Sequence, residues 1–329
     1  MLDVHKPDVP VAVLKNKKIV IFGFGSQGRA HALNLREQGL SVIVVLRDTS
    51  PKLIHARSTK IDVTSDFIAA AKQADIAVLA LPDECQKDLY DRFLKDHLPK
   101  HALLIFLSGF SVHFGFVTPR TDLDVGLVAP KVPGVMLREQ FLKGLGVPAL
   151  VSIHQDVTGQ ARAFVFAYAQ AIGCDSSALT SATFKDEAET NLFSEQAITC
   201  GGLPALICAG YEVLVAAGYP SDLAYAECVK NTKRMADLLE QHGIAGMYER
   251  ISRTAAYGGL TRGPQVIDQH VKDNMRKILT HIQNKDFANE WIHECALGQP
   301  NLNQLHEQNR QLAIETTLRG LHPPIKRNM

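Results

Sequence analysis

Two pairs of residues four apart, Asn191 with Glu195 and Glu227 with Asn231, each put a carboxylate and a carboxamide on one face of a helix. Glu187 lies one turn before Asn191, so the first face reads Glu, Asn, Glu across segment 184–196. Carboxylates in this arrangement can converge on a divalent cation or a polar substrate. The plain alternative is a solvated helix face, the usual fate of an acidic i,i+4 pair.

A second constellation is glycine-rich. Gly23-Phe24-Gly25-Ser26-Gln27-Gly28 follows the apolar run Ile19-Val20-Ile21-Phe22 and precedes a helical pattern that closes at Gly39. Gly23 and Gly25 let the backbone turn tightly and approach a pyrophosphate, while the helix that opens at Ser26 offers free N–H groups and a positive dipole end. Placed between strand and helix, with Gln27 and Gly28 completing it, the string reads as a dinucleotide site. The alternative is a simple Gly-rich turn.

Cofactor choice falls to the end of the next strand, where an adenosine ribose would lie. Arg47-Asp48-Thr49-Ser50-Pro51-Lys52 offers two cations and two hydroxyls, a set suited to a 2′-phosphate. Asp48 could instead take a free ribose diol. NADPH is favoured over NADH, with Arg47, Ser50 and Lys52 as its contacts. Three further loop starts carry chemistry: Leu81-Pro82-Asp83-Glu84, Ser108-Gly109-Phe110 and Ala129-Pro130-Lys131. Lys131 reads either as a surface lysine or as an ammonium that holds a carboxylate or polarises a carbonyl.

These residues need a scaffold of strands and helices. Short β-rich runs at 17–22, 41–46, 76–81, 102–107 and 125–129 alternate with helix-length polar segments, which predicts a doubly wound α/β sheet carrying ligands at its carboxyl edge. From about residue 184 the strand-like runs stop. Helical periodicity takes over at 203–217, 221–242, 264–284, 287–297 and 303–318. The expected organisation is a dinucleotide-binding Rossmann-type domain over 1–183 and an all-α domain over 184–329.

Bulk properties narrow the partners. The 35 basic and 34 acidic residues nearly cancel, so no general attraction to nucleic acid or an anionic membrane is expected. Small metabolites are. The six cysteines form no CxxC pair, which excludes a zinc ribbon and points to a reducing cytoplasm. The N-terminus opens with charge rather than with a signal-peptide core, and no apolar run looks long enough to cross a bilayer.

The sequence resembles the short-form ketol-acid reductoisomerases (acetohydroxyacid isomeroreductases) nearly end to end. The resemblance rests on the Gly23–Gly28 string with Ala30-His31-Ala32-Leu33-Asn34-Leu35-Arg36, on Leu81-Pro82-Asp83-Glu84 and on Val128-Ala129-Pro130-Lys131. It continues through Glu189-Thr190, Glu195-Gln196, Cys200-Gly201-Gly202, Ala209-Gly210-Tyr211-Glu212, Ala224-Tyr225-Ala226-Glu227 and Ile251-Ser252. It implies an entangled, knotted helical C-terminal domain, NADPH, and a homodimer or higher homo-oligomer whose active sites are completed by a partner's helices. It also implies rearrangement of 2-acetolactate or 2-aceto-2-hydroxybutyrate, followed by reduction, in branched-chain amino-acid biosynthesis.

The departures fall on the chemistry. Where the family carries an Asp and a Glu, and then two Glu, for a dinuclear Mg²⁺ site, this sequence has Asn191 with Glu195 and Glu227 with Asn231. The family's His-Gly-Phe reads Ser108-Gly109-Phe110, and its Lys-Gly-Pro-Gly reads Lys131-Val132-Pro133-Gly134. Lys131, Glu195, Glu227 and Ser252 are retained. Alkyl migration needs strong Lewis acids, and Mg²⁺ binds weakly where carboxylates are few. Hydride transfer to a 2-oxo acid needs only a bound nicotinamide, a proton donor and a positive group.

The expectation is therefore an NADPH-dependent reductase of a branched 2-oxo acid, such as 2-ketopantoate or 3-hydroxy-3-methyl-2-oxobutanoate, with isomerisation weakened or lost. Its catalytic set would be Lys131, Glu195, Glu227, Ser252 and Ser108. Cofactor contacts would come from Gly23, Gly25, Ser26, Gln27, Gly28, Arg47, Ser50, Lys52, Leu81, Pro82 and Asp83. Glu195 and Glu227 are the metal candidates, with Mg²⁺ itself left open. An ordinary reductoisomerase and a non-catalytic NADPH-binding protein stand as alternatives. Ser252 reads equally as a helix cap, His31 as structural, Cys200 and Cys228 as buried small hydrophobes, and His113 as a partial stand-in for the missing imidazole.

Overall fold

The computed structural model describes residues 9–321, so the charged N-terminal hexapeptide lies outside the described residues. Contacts divide the chain into two compact units, with the boundary after Thr190.

The first unit is built on one eight-stranded sheet. Its strands are β1 (Lys18–Phe22), β2 (Ser41–Val45), β3 (Asp62–Thr64), β4 (Ile76–Leu79), β5 (Leu103–Phe106), β6 (Asp124–Pro130), β7 (Val147–Gln155) and β8 (Cys174–Ser181). They lie in the order β3-β2-β1-β4-β5-β6-β7-β8. All pairings are parallel except β6 with β7, which is antiparallel. The strand order reverses at β1, which lies between β2 and β4, and that switch point is where a doubly wound sheet opens its ligand crevice.

Burial explains why the inner strands read as unbroken apolar runs, since helices cover both faces of a parallel sheet. Successive residues point to opposite sides. Ile19, Ile21, Val42, Val44, Ile76 and Val78 enter one core, whereas Val20, Phe22, Val45, Ala77 and Leu79 enter the other.

Three strands escaped the sequence reading. β3 is only three residues long. β7 mixes buried residues with the exposed Pro148 and His154, and β8 is polar, with most of its residues partly or fully exposed. A sheet edge wetted on its outer side carries little hydrophobic signal.

The second unit is helical. Its helices are Gly202–Ala216, Ser221–Tyr225, Asn231–Glu249, Arg253–Val266, Gln269–Gln283, Asp286–Ala296, Pro300–Arg310 and Ala313–Leu321. The run read as 264–284 is two helices. Pro264 lies inside the first, and Asp268 caps the second by accepting the Val271 N–H at 3.0 Å. The run read as 303–318 is likewise divided around Leu312, and Gly243, at φ 69°, breaks Asn231–Glu249.

The apolar interior of this unit is small, centred on Tyr211, Ala224, Tyr225 and Ile314. Val213, Ile244 and Tyr257 are 69, 70 and 69% exposed. One expectation is corrected here: the helical run Phe184–Ala216 is long and apolar enough, by length and composition, to cross a membrane. Within that run the helix Phe184–Phe193 passes into a π-wound stretch, Ser194–Thr199, and a turn at Cys200 and Gly201 precedes the helix Gly202–Ala216.

Candidate functional site

Each glycine of the 23–28 loop has its own reason. Gly23 sits at φ +107°, and a Cβ there would lie 2.5 Å from the Ala80 carbonyl oxygen. A Cβ on Gly28 would meet the Gly23 carbonyl oxygen at 2.7 Å and the Ala80 Cβ at 2.9 Å, so this glycine lets the helix Ser26–Glu37 lie tight against β1 and β4. Gly25 differs. Its nearest neighbour would be the Lys52 Nζ at 3.9 Å, so its missing side chain leaves open space rather than relieving a protein contact. A cradle that only a ligand would fill, beside a helix N-terminus and an ammonium, fits a dinucleotide pyrophosphate.

The expected cofactor residues gather around this loop. Gln27 donates to the Val132 carbonyl at 2.8 Å, which ties the loop after β1 to the loop after β6. Arg47, Asp48 and Lys52 are exposed at the end of β2, and the Lys52 N–H donates to the Ser50 hydroxyl at 3.3 Å. Among the described residues neither Arg47 nor Lys52 forms an ion pair, so both guanidinium and ammonium are available to an anion. Ser26 and Pro82 are exposed, whereas Leu81 and Asp83 are half-buried.

The carboxyl ends of β4, β5 and β6, adjacent in the sheet, carry a polar cluster. Ser108 donates to the Asp83 carboxylate at 2.7 Å, joining the loops after β5 and β4. The Gly109 N–H donates to Glu187 Oε2 at 2.6 Å, and Lys131 Nζ donates to Glu187 Oε1 at 3.2 Å. Glu187 is therefore clamped at both oxygens and is 3% exposed, while the Lys131 side chain keeps 34% of its surface open. Gly109 is needed here: a Cβ would lie 2.1 Å from the Phe184 carbonyl oxygen.

Local sequence sets this up. Thr183 and Asp186 form a reciprocal cap, each backbone N–H donating to the other's side chain at 3.0 Å, which starts the helix Phe184–Phe193 and aims Glu187 at the strand ends. The Thr183 hydroxyl, followed by its backbone N–H, holds the Asp186 carboxyl below the ordinary carboxylate range.

Glu187 was legible as part of the acidic stripe but was not among the expected site residues. Its signal was the Thr-x-x-Asp cap just ahead of it. The stripe itself does not stay together: Glu187 is buried and Glu195 exposed. His113 bonds Glu189 Oε1 through Nε2 at 3.0 Å and lies tilted against the Phe114 ring, so its ring is committed to that carboxylate. His31 is fully buried against the Tyr168 hydroxyl at 2.9 Å, and burial drives its pKa down to about 3, as suits a structural imidazole.

In the second unit, Glu195 and Glu227 both lie in stretches wound with i→i+5 hydrogen bonds. These are Ser194–Thr199, closed by the Cys200 N–H to the Glu195 carbonyl, and Ala226–Lys230, closed by the Asn231 N–H to the Ala226 carbonyl. Such π-turns are rare and often sit at functional sites. A third, Tyr90–Leu94, only buries Tyr90 and Leu94.

The carboxamide side chains bear directly on metal binding. Asn231 Nδ2 donates to Glu227 Oε2 at 2.5 Å, and Arg234 Nη1 donates to Asn231 Oδ1 at 2.7 Å. An amide N–H thus occupies one oxygen of Glu227, with a guanidinium one hydrogen bond further along the helix. Among the described residues no group of three or more His, Cys, Asp or Glu is placed to hold a metal. This donor set does not fit a dinuclear Mg²⁺ centre, which wants anionic oxygens and no competing donors.

Ser252 caps the helix Arg253–Val266 by accepting the Ala255 N–H at 3.2 Å, leaving its hydroxyl proton free to donate. Cys228 is half-buried, but Cys200 is exposed, contrary to its reading as a buried hydrophobe. All six cysteines are free thiols.

Comparison with known proteins places this geometry. Residues 13–178 match the family described as acetohydroxy acid isomeroreductase, NADPH-binding domain, and residues 184–323 match the ketol-acid reductoisomerase C-terminal domain. A solved NADH-preferring ketol-acid reductoisomerase from an uncultured archean is 37% identical, with a TM-score of 0.90 over 95% of this chain and 96% of its own. A semialdehyde dehydrogenase NAD-binding protein from Cupriavidus necator is 17% identical, with a TM-score of 0.64 over 82% of this chain and 99% of its own. The pyrroline carboxylate reductase of Plasmodium falciparum is 14% identical, with a TM-score of 0.53 over 82% and 98%. These last two share the fold alone.

Proposed function

Since the chain belongs to the ketol-acid reductoisomerase family of NAD(P)-binding oxidoreductases, we propose that it reduces a branched 2-oxo acid and has lost most of the isomerisation that precedes reduction in that family. The observation that carries this reading is the contrast between two sites. The dinucleotide loop keeps every glycine that its packing and its cradle require, whereas the Glu227–Asn231–Arg234 chain sets amide and guanidinium donors where a divalent cation needs carboxylates.

The nicotinamide, when bound, supplies a hydride. The chain's own contribution is electrostatic. Lys131, held by Glu187, directs its ammonium at the ketone oxygen and releases a proton from Nζ to the forming alkoxide. Glu187 stays fixed by the Gly109 N–H, so the ammonium is oriented before substrate arrives. Ser108, anchored on Asp83, borders the nicotinamide end. Glu195, Glu227 and Ser252 serve substrate binding and proton supply.

NADPH is the proposed cofactor, because Arg47, Ser50 and Lys52 offer two unpaired cations and a hydroxyl to a 2′-phosphate. The NADH preference of the archaeal relative supplies the rival outcome. The exposed Val213, Ile244 and Tyr257, together with the small core of the second unit, support a homo-oligomer whose sites are completed by a partner's helices.

The test is NADPH consumption with 2-acetolactate, 3-hydroxy-3-methyl-2-oxobutanoate and 2-ketopantoate side by side, with Mg²⁺ and with chelator. Turnover of either 2-oxo acid that survives chelation supports the proposal. Rapid, Mg²⁺-dependent turnover of 2-acetolactate supports the ordinary reductoisomerase, and no oxidation of tightly bound NADPH by any of the three supports a non-catalytic binder.

A further inference from the structure

The misfit between the helix at Glu227 and a metal ion has a constructive side. Arg234 donates to a neutral carbonyl, Asn231 Oδ1, and among the described residues it meets no carboxylate. Its charge is thus fixed in place yet left uncompensated. Asn231 turns its other end to Glu227, so one face of the helix carries a relay from guanidinium through carboxamide to carboxylate. Lys230, four residues before Arg234, adds a second exposed cation to the same stripe. The neighbouring Lys233 is different, being paired with Asp237 at 2.8 Å.

We propose that Arg234, oriented by Asn231 and assisted by Lys230, binds the carboxylate of the substrate, so that a fixed guanidinium does there the charge-neutralising work a divalent cation would otherwise do. A guanidinium has five N–H donors in a planar fork matched to a carboxylate, and only one of them is committed to Asn231. Asn231 is the right residue to hold it. An aspartate or glutamate at that position would pair with Arg234 and cancel its charge, whereas an amide fixes the group without neutralising it. The inference rests on the reading of Glu227 as a substrate-site residue. It deepens that reading by assigning the acid function of a 2-oxo acid to a named group.

Binding of oxamate, an unreactive 2-oxo acid analogue, to the NADPH-loaded protein separates this inference from the proposed activity, because it needs no turnover. Titration calorimetry in chelator should show oxamate binding that weakens about 10- to 100-fold in Arg234→Ala, recovers partly in Arg234→Lys and weakens in Asn231→Asp. NADPH affinity should stay unchanged throughout. Lys233→Ala, which removes an equal surface charge from the same helix, should leave oxamate binding intact. With a 2-oxo acid that turns over, Arg234→Ala should raise KM by the same factor and change kcat little.

Equal oxamate affinity in Arg234→Ala and the parent protein overturns the proposal, as does oxamate binding that disappears on chelation. If oxamate binding depends on Arg234 but no 2-oxo acid is reduced, the assignment stands and the reductase reading fails.

Discussion

Replacing Gly25 with alanine separates the fold from the cofactor. At this position φ is −73° and ψ is −164°, backbone angles open to any L-residue. The added methyl would find only the Lys52 ammonium, at 3.9 Å, an ordinary contact at the end of a flexible side chain. The apo protein should therefore be unchanged or gain up to about 1 kcal/mol, because alanine restricts the unfolded chain more than glycine does. Bound dinucleotide meets the opposite situation, since the methyl takes the space into which its pyrophosphate would settle. Overpacking of about 1–3 kcal/mol translates, at about 1.4 kcal/mol per tenfold, into a roughly 5- to 150-fold loss of affinity.

Gly23→Ala is the internal contrast. There φ is +107° and the methyl would fall 2.5 Å from a backbone oxygen, so the apo protein itself should lose about 3 kcal/mol or more. Thermal melts without cofactor, paired with NADPH fluorescence titrations, read both quantities. A Gly25→Ala protein of parental stability that binds NADPH as tightly as the parent would refute the placement of the pyrophosphate.

Further outcomes follow from the same geometry. Glu187→Gln keeps an acceptor for the Gly109 N–H but frees Lys131, so kcat for 2-oxo acid reduction should fall on the order of 100-fold with NADPH affinity unchanged; unaltered kcat would remove Glu187 from the mechanism. Asn191→Asp combined with Asn231→Glu should tighten Mg²⁺ binding measurably by calorimetry, and unchanged binding would mean that these positions do not face a cation. His31 titrates near 6.5 when unfolded and about 3 when folded, so between these values the unfolded chain takes up a proton that the native state refuses. Its contribution to stability is complete above 6.5 and declines as pH falls, by up to about 1.4 kcal/mol per pH unit. Denaturant midpoints across that interval should show a shallower acid loss in His31→Gln than in the parent, and identical slopes would contradict the assignment.

Much of the scaffold was legible because burial writes directly into sequence. β1, β4 and β5 are covered on both faces and read as unbroken apolar runs, and the Gly23–Gly28 string sits where those runs end. β7 and β8 were not legible, since their outer faces meet water and their residues are correspondingly polar. The helices of the second unit were recognised as helical, and the run read as 221–242 stops at the Gly243 break, but the turn at Ile267 and the division around Leu312 went unseen because they interrupt the backbone without interrupting the periodicity.

The same limit applied to the site. Lys131 and Ser108 could be placed at strand ends, but Glu187 became a partner of Lys131 only when the Thr183–Asp186 cap and the bare Gly109 backbone brought the helix against those strands. The π-turns under Glu195 and Glu227 have no composition of their own. The stripe separates because Glu187 is buried by its bonds to Gly109 and Lys131 while Glu195 stays exposed. Arg234 was invisible as chemistry until its hydrogen bond to an amide, rather than to an acid, showed a charge left uncancelled.

Carbon-13 NMR of labelled 2-acetolactate, incubated with the enzyme, NADPH and Mg²⁺, reads alkyl migration itself. If the metal site has been given up, the label should remain in the 2-acetolactate skeleton while the same preparation reduces 3-hydroxy-3-methyl-2-oxobutanoate. Appearance of the rearranged dihydroxy acid at a rate matching that reduction would contradict the account.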